Sequence, residues 1–169
     1  MTVLPEILNC REFVNADEIA KGLSPFNPQE VAIEARKIML QRIDSLLHRK
    51  VSFAIETTLA TRSYKNLIEH AKHIGYEVFL LFFWLPSPLQ AEQRVAMRVA
   101  SGGHDIPKEV IHRRYYLGIQ NLFDIFVPIV DHWALYDNSV GFEPVVEGNI
   151  IRDIDKLNKI KEQCRNKKK

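Results

Sequence analysis

Two short apolar runs, each ending in an acidic residue, constrain the fold of this chain more than any other feature. The first is Phe13-Val14-Asn15-Ala16-Asp17, and the second is Val51 to Ile55, which is followed by Glu56-Thr57-Thr58. Runs of this composition predict β-strands. Because ligands of an open α/β sheet bind outside the carboxyl ends of its strands, we expect Asp17 and Glu56 to meet at one crevice.

The remaining pattern predicts helices packed on a parallel sheet. Apolar residues recur at the helical period from Pro28 to about His48 and from Pro107 to about Phe126, and a last helix is expected over Ile150 to Ile160. The apolar run from Glu77 to Leu85 predicts a parallel strand that is covered on both faces and central in its sheet. Strands separated by helices indicate an α/β fold.

Length and composition indicate one ordinary globular domain over residues 1–169. The chain has 169 residues, of which 46% are hydrophobic and 26% charged, and a chain of this length needs no disulfide or metal to hold its core. The net charge of +2 gives no case for nucleic acid or a membrane as a partner. Residues 165–169 are expected to be a frayed basic tail.

The cysteines and the start of the chain predict a soluble cytoplasmic protein. Cys10 and Cys164 lie far apart and in no paired-cysteine motif, which suits a reducing compartment. We see no signal peptide at Met1. The longest apolar run, Val78 to Leu85, is too short to span a bilayer.

Two interpretations stay open for each acidic strand end. Asp17 is a general base or a magnesium-associated carboxylate, or it is only the N-cap of the turn that ends at Gly22. Glu56 and Thr58 line a metal or substrate site, or they only begin the next loop. His70 and His73 share a helix face, but no further ligand accompanies them and we expect no metal site there.

Four arginines flank the break at Gly102-Gly103. Arg94 and Arg98 share one helix face, and Arg113 and Arg114 lie in the next helix. Guanidinium groups bind phosphate in a bidentate way, so arginines on both sides of a loop suit a lid that closes on phosphates. The alternative is that they are solvated surface charges.

Several segments together resemble one known family. The match begins with residues 13–28 and continues through residues 53–59 and the Gly102-Gly103-His104-Asp105-Ile106-Pro107 segment. It ends with Arg113-Arg114-Tyr115 and Leu135-Tyr136-Asp137-Asn138-Ser139. From about residue 2 to residue 147 the chain resembles the zeta-toxin-like P-loop kinases, and in particular their bacterial "predicted ATPase" branch.

The resemblance implies a P-loop-kinase-like parallel sheet with helices on both faces, and phosphoryl transfer from ATP with Mg²⁺. In zeta toxins the acceptor is a UDP-linked amino sugar. By position, Asp17 would take the proton of the acceptor hydroxyl, and Glu56 and Thr58 would line the acceptor or metal site. The resemblance implies that arginines bind the phosphates, and by position these are Arg98, Arg113 and Arg114. It also makes an antitoxin protein an expected partner.

One departure from the family is large. None of the seven glycines is followed by lysine, so the chain has no Gly-Lys-Ser/Thr phosphate loop. We expect the chain to be truncated at its N-terminus, to begin inside the helix after that loop, and to lack the first, central strand. Two functions stay open: a phosphotransferase that is inactive as this chain, and a non-catalytic remnant or binding module.

The missing strand has a geometric consequence. Without it, Val51–Ile55 and Glu77–Leu85 would lose their common neighbour in the sheet. We expect either direct pairing of these two strands or an aggregation-prone protein, because unpaired strand edges are costly and attract other chains.

Overall fold

The computed structural model describes residues 10–103 and 105–165. The chain divides into two compact units, Met1–Thr57 and Thr58–Lys169. The described residues form a mixed α/β structure of six α-helices, one π-helical segment and six strands, which is consistent with a P-loop-kinase-like fold. The expectation of one domain stays a prediction. The last helix extends to Arg165, and residues 166–169 of the expected tail lie outside the described residues.

The first unit contains a parallel pair of short strands and two helices. The elements are β1 (Glu12–Val14), α1 (Ala16–Leu23), α2 (Ala32–His48) and β2 (Phe53–Ile55). β1 pairs with β2 in register, with Glu12 opposite Phe53 and Val14 opposite Ile55. The helical period of α2 places one apolar face against the rest of the unit. Its buried side chains are Ala35, Met39, Ile43, Leu46 and Leu47.

Two helix boundaries in this unit differ from prediction. α2 begins at Ala32 rather than at Pro28, because the carbonyl of Asn27 accepts the N–H of Glu30 and a turn forms there. Gly22 lies inside α1 and is not among the residues with positive φ. The helix instead ends at Leu23, and Ser24 is its C-cap, whose N–H donates to the carbonyl of Ala20.

The second unit contains a four-stranded mixed sheet and four helices. Its strands lie in the order β3-β4-β5-β6, the first pair parallel and the other two antiparallel. The strands are β3 (Phe79–Trp84), β4 (His132–Asp137), β5 (Glu143–Glu147) and β6 (Ile150–Ile151). The helical elements are α3 (Tyr64–His73), α4 (Pro88–Ala100), α5 (Lys108–Asn121), the π-helical segment Leu122–Phe126 and α6 (Ile154–Arg165).

One hydrophobic cluster holds the second unit together. It joins the loop before α3, the sheet, the end of α5 with the π-helical segment, and α6. Burial of a large apolar side chain contributes about 1.5–3 kcal/mol, so this cluster dominates the stability of the unit. Its buried members are Leu59, Trp84, Ile119, Leu122, Phe126, Leu135, Val145, Val146, Leu157 and Ile160.

The position of β3 differs from the prediction of a central strand. In the described residues β2 pairs with β1 and β3 pairs with β4, in two separate sheets. Of the two expected outcomes, direct pairing of β2 with β3 is therefore absent there, and the tendency to aggregate stays a prediction. Among those residues β3 is an edge strand. Leu80, Phe82 and Trp84 pack into the cluster, whereas Phe79 and Phe83 are 60% and 43% exposed.

The end of the chain also differs from prediction. The segment Ile150–Ile151 forms β6, and the last helix begins only at Ile154. The helix cannot begin earlier because Asn149 has a positive φ of 69° and turns the chain back to pair β6 with β5. In the described residues, no helix is long and apolar enough to cross a membrane.

Candidate functional site

The carboxyl ends of β1 and β2 form the predicted edge in the first unit. Asn15 follows β1 and Glu56 follows β2, and the parallel register places both just beyond the last paired residues. Asn15 Nδ2 donates to Glu56 Oε2 at 2.9 Å. Asn15 Oδ1 accepts the backbone N–H of Asp17 at 2.8 Å and that of Glu18 at 3.3 Å. One asparagine therefore joins the start of α1 to the end of β2.

Asp17 lies in the first turn of α1 and is exposed. The interpretation that Asp17 caps this helix is wrong, because Asn15 occupies the N-cap position and supplies the capping oxygen. Within the described part of the chain the Asp17 carboxylate has no hydrogen bond or ion pair, and two negative side chains in this first turn suit the positive end of the helix. Its carboxylate is accessible to a ligand, and its role as a base stays a prediction.

A shallow recess lies beside these residues in the first unit. Its volume is about 290 Å³, near the lower limit of about 300 Å³ for small-molecule sites. Arg42 on its wall is held by Glu12 through an ion pair of 2.7 Å. The lining residues are Phe13, Val14, Asn15, Glu18, Ile19 and Arg42.

Thr58 begins the second unit, and its side chain is exposed. The next residue, Leu59, has a positive φ of 55° and is 3% exposed. The Leu59 carbonyl accepts a hydrogen bond of 2.8 Å from Nδ2 of the buried Asn121 on α5. The Leu59 carbonyl at the start of the second unit is therefore fixed from α5 of the same unit, a contact that the sequence did not predict.

The four arginines lie on α4 and α5 and all are exposed. Arg94 donates to the carbonyl and to Oδ1 of Asn138, so it fixes the loop after β4. Arg98 lies one turn later on α4, and its carbonyl accepts the N–H of Gly103 at 2.8 Å. Arg113 and Arg114 have no ion pair with another described residue. The structure thus separates Arg94, which holds a loop, from two arginines that are accessible to an anion.

Glu92 joins the two arginine-bearing helices. Its side chain is 15% exposed and contacts His112 Nε2, and it lies 3.4 Å from Lys108 Nζ. The hydrogen bond from His112 is the main reason why the pKa of Glu92 lies below its ordinary value, with Lys108 adding to the effect and burial opposing it. α4 and α5 are therefore held together as a pair.

Comparison with known proteins identifies the family of this chain. The family model of zeta toxin matches residues 10–134, which is most of the chain. The chain belongs to the zeta toxin family. A protein of Haemophilus influenzae, named only as an uncharacterized protein, is 28% identical over 102 residues, which cover 60% of this chain and 73% of that protein. No solved structure matches the chain significantly.

Asp137 of this zeta toxin family member is a buried carboxylate that the sequence did not predict. Asp137 ends β4 and its side chain is 6% exposed. Burial raises its pKa, but hydrogen bonds from Lys156 and Ser139 outweigh burial and keep the pKa below its ordinary value. Lys156 Nζ lies 2.9 Å from Asp137 and 3.1 Å from Glu143. The pattern that could have indicated it is the polar Asp137-Asn138-Ser139 run, which begins at the last residue of β4.

Membership of this nucleotide-binding family implies ATP and Mg²⁺. No group of three His, Cys, Asp or Glu side chains that could hold a metal occurs among the described residues. Mg²⁺ in kinases needs only one or two carboxylates besides phosphate oxygens and water, so the exposed Glu56 suits one ligand position. The β- and γ-phosphates normally need a lysine and a nest of amides, and the described loops do not supply that combination. The described residues therefore supply a carboxylate that suits Mg²⁺. They do not supply the lysine and amide groups that bind the nucleotide phosphates.

Proposed function

We propose that this zeta toxin family protein is an ATP-dependent phosphotransferase of a small molecule, with a UDP-linked sugar as the acceptor class, and that these 169 residues alone do not transfer phosphate. The observation that carries this proposal is the accessible carboxylate of Asp17 at the joined ends of β1 and β2. A general base must reach the proton that it takes, and an exposed carboxylate without a competing partner suits that task.

The other residues have supporting roles in this proposal. Glu56 and Thr58 contact the acceptor, and Asn15 keeps Glu56 in place through its hydrogen bond of 2.9 Å. Arg98, Arg113 and Arg114 bind phosphate oxygens, since guanidinium groups match phosphate geometry. The natural ligands are a nucleotide and a sugar nucleotide in the cytoplasm, with an antitoxin protein as partner and no nucleic acid.

A second function, that of a binding module without catalysis, is favoured by one observation. No glycine in the 169 residues is followed by lysine, so this sequence contains no phosphate loop of the usual form. In that case the chain binds a sugar nucleotide or a protein and transfers no phosphate.

Phosphoryl transfer in the presence of an added phosphate loop separates the two functions. We would join a strand, a Gly-x-x-x-x-Gly-Lys-Ser/Thr loop and a helix upstream of Met1, and follow transfer from ATP to UDP-N-acetylglucosamine, a representative UDP-linked amino sugar. Asp17→Asn should lower the rate about 10²- to 10⁴-fold.

The matched control is Asp155→Asn, an exposed aspartate in the first turn of α6, which should leave the rate unchanged. Activity that survives Asp17→Asn would contradict the role of Asp17. Binding of the sugar nucleotide without any transfer would favour the binding module.

A further inference from the structure

Leu59 has a backbone conformation that leucine rarely adopts. Its φ is 55°, in the left-handed region where the Cβ atom is crowded. Its side chain is 3% exposed and belongs to the hydrophobic cluster of the second unit. Non-glycine residues stay in this region only where the surroundings enforce it, and such positions cluster at ligand sites.

Asn121 on α5 is one of the residues that surround the Leu59 backbone. It is 2% exposed, one of the few buried polar residues in the described chain. Its Nδ2 donates to the Leu59 carbonyl at 2.8 Å. Buried polar groups are nearly always hydrogen-bonded, so this bond favours one direction of the Leu59 carbonyl.

Gly118 lies one turn earlier on the same face of α5. A Cβ atom at this position would lie 2.5 Å from the carbonyl oxygen of Thr58, which is closer than real Cβ atoms approach. Glycine inside a helix is destabilising relative to alanine, so its presence there needs a packing reason. The close approach of the Thr58 carbonyl is that reason.

The helix changes its hydrogen-bonding pattern directly after these contacts. The π-helical segment Leu122–Phe126 follows Asn121, and both of its terminal side chains are fully buried. π-helical turns within helices occur frequently at functional sites. Gly118 and Asn121 therefore contact two consecutive carbonyls at the point where α5 departs from ideal geometry.

We infer that Gly118 and Asn121 are positioning residues that hold the Thr58–Leu59 backbone in one conformation and so fix where the Thr58 hydroxyl meets a substrate. The contact of Thr58 with substrate rests on the proposed function. The effect of Gly118 and Asn121 on the Thr58–Leu59 backbone does not depend on it. Because Arg113 and Arg114 lie on the same helix, α5 places both the phosphate-binding arginines and Thr58.

The conformation of Leu59 can be measured on the 169-residue protein without any activity. NMR Cα and Cβ chemical shifts and the coupling between HN and Hα report a positive φ. We expect wild type to show the left-handed values, and Asn121→Ala and Gly118→Ala to lose them while the remaining core signals persist. If Asn121→Ala does not fold, Gly118→Ala addresses the same backbone segment.

Two control variants separate this effect from general destabilisation. Ile119→Val shortens a buried side chain of α5 next to these residues and should leave the Leu59 signals left-handed. Gly22→Ala adds a Cβ to a helical glycine that has no atom within 4 Å apart from its chain neighbours and its own helix backbone, and it should leave the Leu59 signals unchanged. Left-handed Leu59 signals in both Asn121→Ala and Gly118→Ala would overturn the inference.

Binding of UDP-N-acetylglucosamine tests the consequence for Thr58. Titration followed by NMR should give an affinity about twofold to tenfold lower for Asn121→Ala than for wild type, since a displaced Thr58 hydroxyl loses about one neutral hydrogen bond to the ligand. Ile119→Val should bind as wild type does. No binding by wild type would contradict the proposed acceptor, while the Leu59 signals would still decide the inference. Unchanged affinity in Asn121→Ala would overturn the role given to Thr58.

Discussion

Asn15 and Glu56 are 41 residues apart in sequence and are joined by a hydrogen bond of 2.9 Å between Nδ2 and Oε2. The same Asn15 side chain caps α1 through its oxygen. The side-chain oxygen of Asn15 therefore caps the helix, and its side-chain nitrogen binds Glu56 at the end of the neighbouring strand. This arrangement keeps the predicted acceptor residue Glu56 and the predicted base Asp17 at one edge of the first unit.

Replacement of Asn15 should destabilise the first unit. Asn15→Ala removes an N-cap, which typically costs about 0.5–2 kcal/mol. Asn15→Asp keeps the cap but places a second negative charge beside Glu56, so we expect a smaller loss that diminishes with added salt. Urea unfolding followed by circular dichroism measures both.

Asn27→Ala is the matched control for the Asn15 variants, because Asn27 is exposed and its side chain makes no hydrogen bond within the described residues. Equal stability of Asn15→Ala and Asn27→Ala would show that the Asn15 contacts contribute nothing.

The sequence predicted the edge formed by Asp17 and Glu56, because the carboxyl ends of neighbouring parallel strands always meet. It could not predict which residue caps α1, since asparagine and aspartate cap helices about equally well. The contact of Asn121 with Leu59 spans 62 residues in sequence and leaves no local pattern. Long-range contacts of buried polar side chains need the tertiary structure.

The position of β3 was mispredicted for a different reason. An unbroken apolar run is expected both for a strand covered on two faces and for a strand with one face of stacked aromatic rings. Here Phe79 stacks on His132 with ring centroids 4.8 Å apart, and Phe83 on Tyr136 at 5.7 Å. Aromatic composition alone does not distinguish these two environments.

The 169-residue protein should bind Mg-ATP more weakly than a kinase does. The sequence has no glycine followed by lysine, and without that loop the phosphates lose an amide nest and a lysine together. Titration calorimetry with Mg-ATP measures this, with EDTA in place of Mg²⁺ as the control. A micromolar dissociation constant would contradict the prediction.

Arg113 and Arg114 should affect anion binding without affecting stability. Each is exposed, so Arg113→Ala and Arg114→Ala should change the unfolding free energy by less than about 0.5 kcal/mol. Loss of a charge-assisted hydrogen bond should lower the affinity for tripolyphosphate by about tenfold each, and more at low salt than at high salt. Calorimetric titration at two salt concentrations checks this.

Arg62→Ala is the control for these arginines, because Arg62 is an exposed loop residue outside α4 and α5. If Arg62→Ala weakens tripolyphosphate binding as much as Arg113→Ala does, the arginines act only through net charge.

Lys156→Met should destabilise the second unit in a pH-dependent way. It leaves the Asp137 carboxylate buried without its cation, which should cost about 1–3 kcal/mol at neutral pH. Because the folded pKa of Asp137 is lowered, the pair stabilises the protein above the unfolded pKa of about 3.9 and loses this effect as pH falls. The folded pKa of Lys156 is raised, so the effect is also lost at strongly alkaline pH.

Urea unfolding between neutral and acidic pH checks this prediction, with Lys159→Met, an exposed lysine of the same helix, as the control. The difference between wild type and Lys156→Met should shrink as pH falls. A difference that is independent of pH would mean that Lys156 stabilises the unit through packing of its alkyl chain alone.

The exposed face and edge of β3 should make the protein prone to self-association. β3 contains six apolar residues without charge or proline and, within the described residues, pairs on one side only. Such an edge can pair with another chain, and lysine on an edge strand opposes this. Phe79→Lys should therefore lower the self-associated fraction in sedimentation velocity. Because Phe79 is 60% exposed, the effect of this variant on stability should be small.

The control is Phe26→Lys, which makes the same charge change at a loop residue that is 95% exposed. If both variants lower self-association equally, net charge rather than the β3 edge controls it.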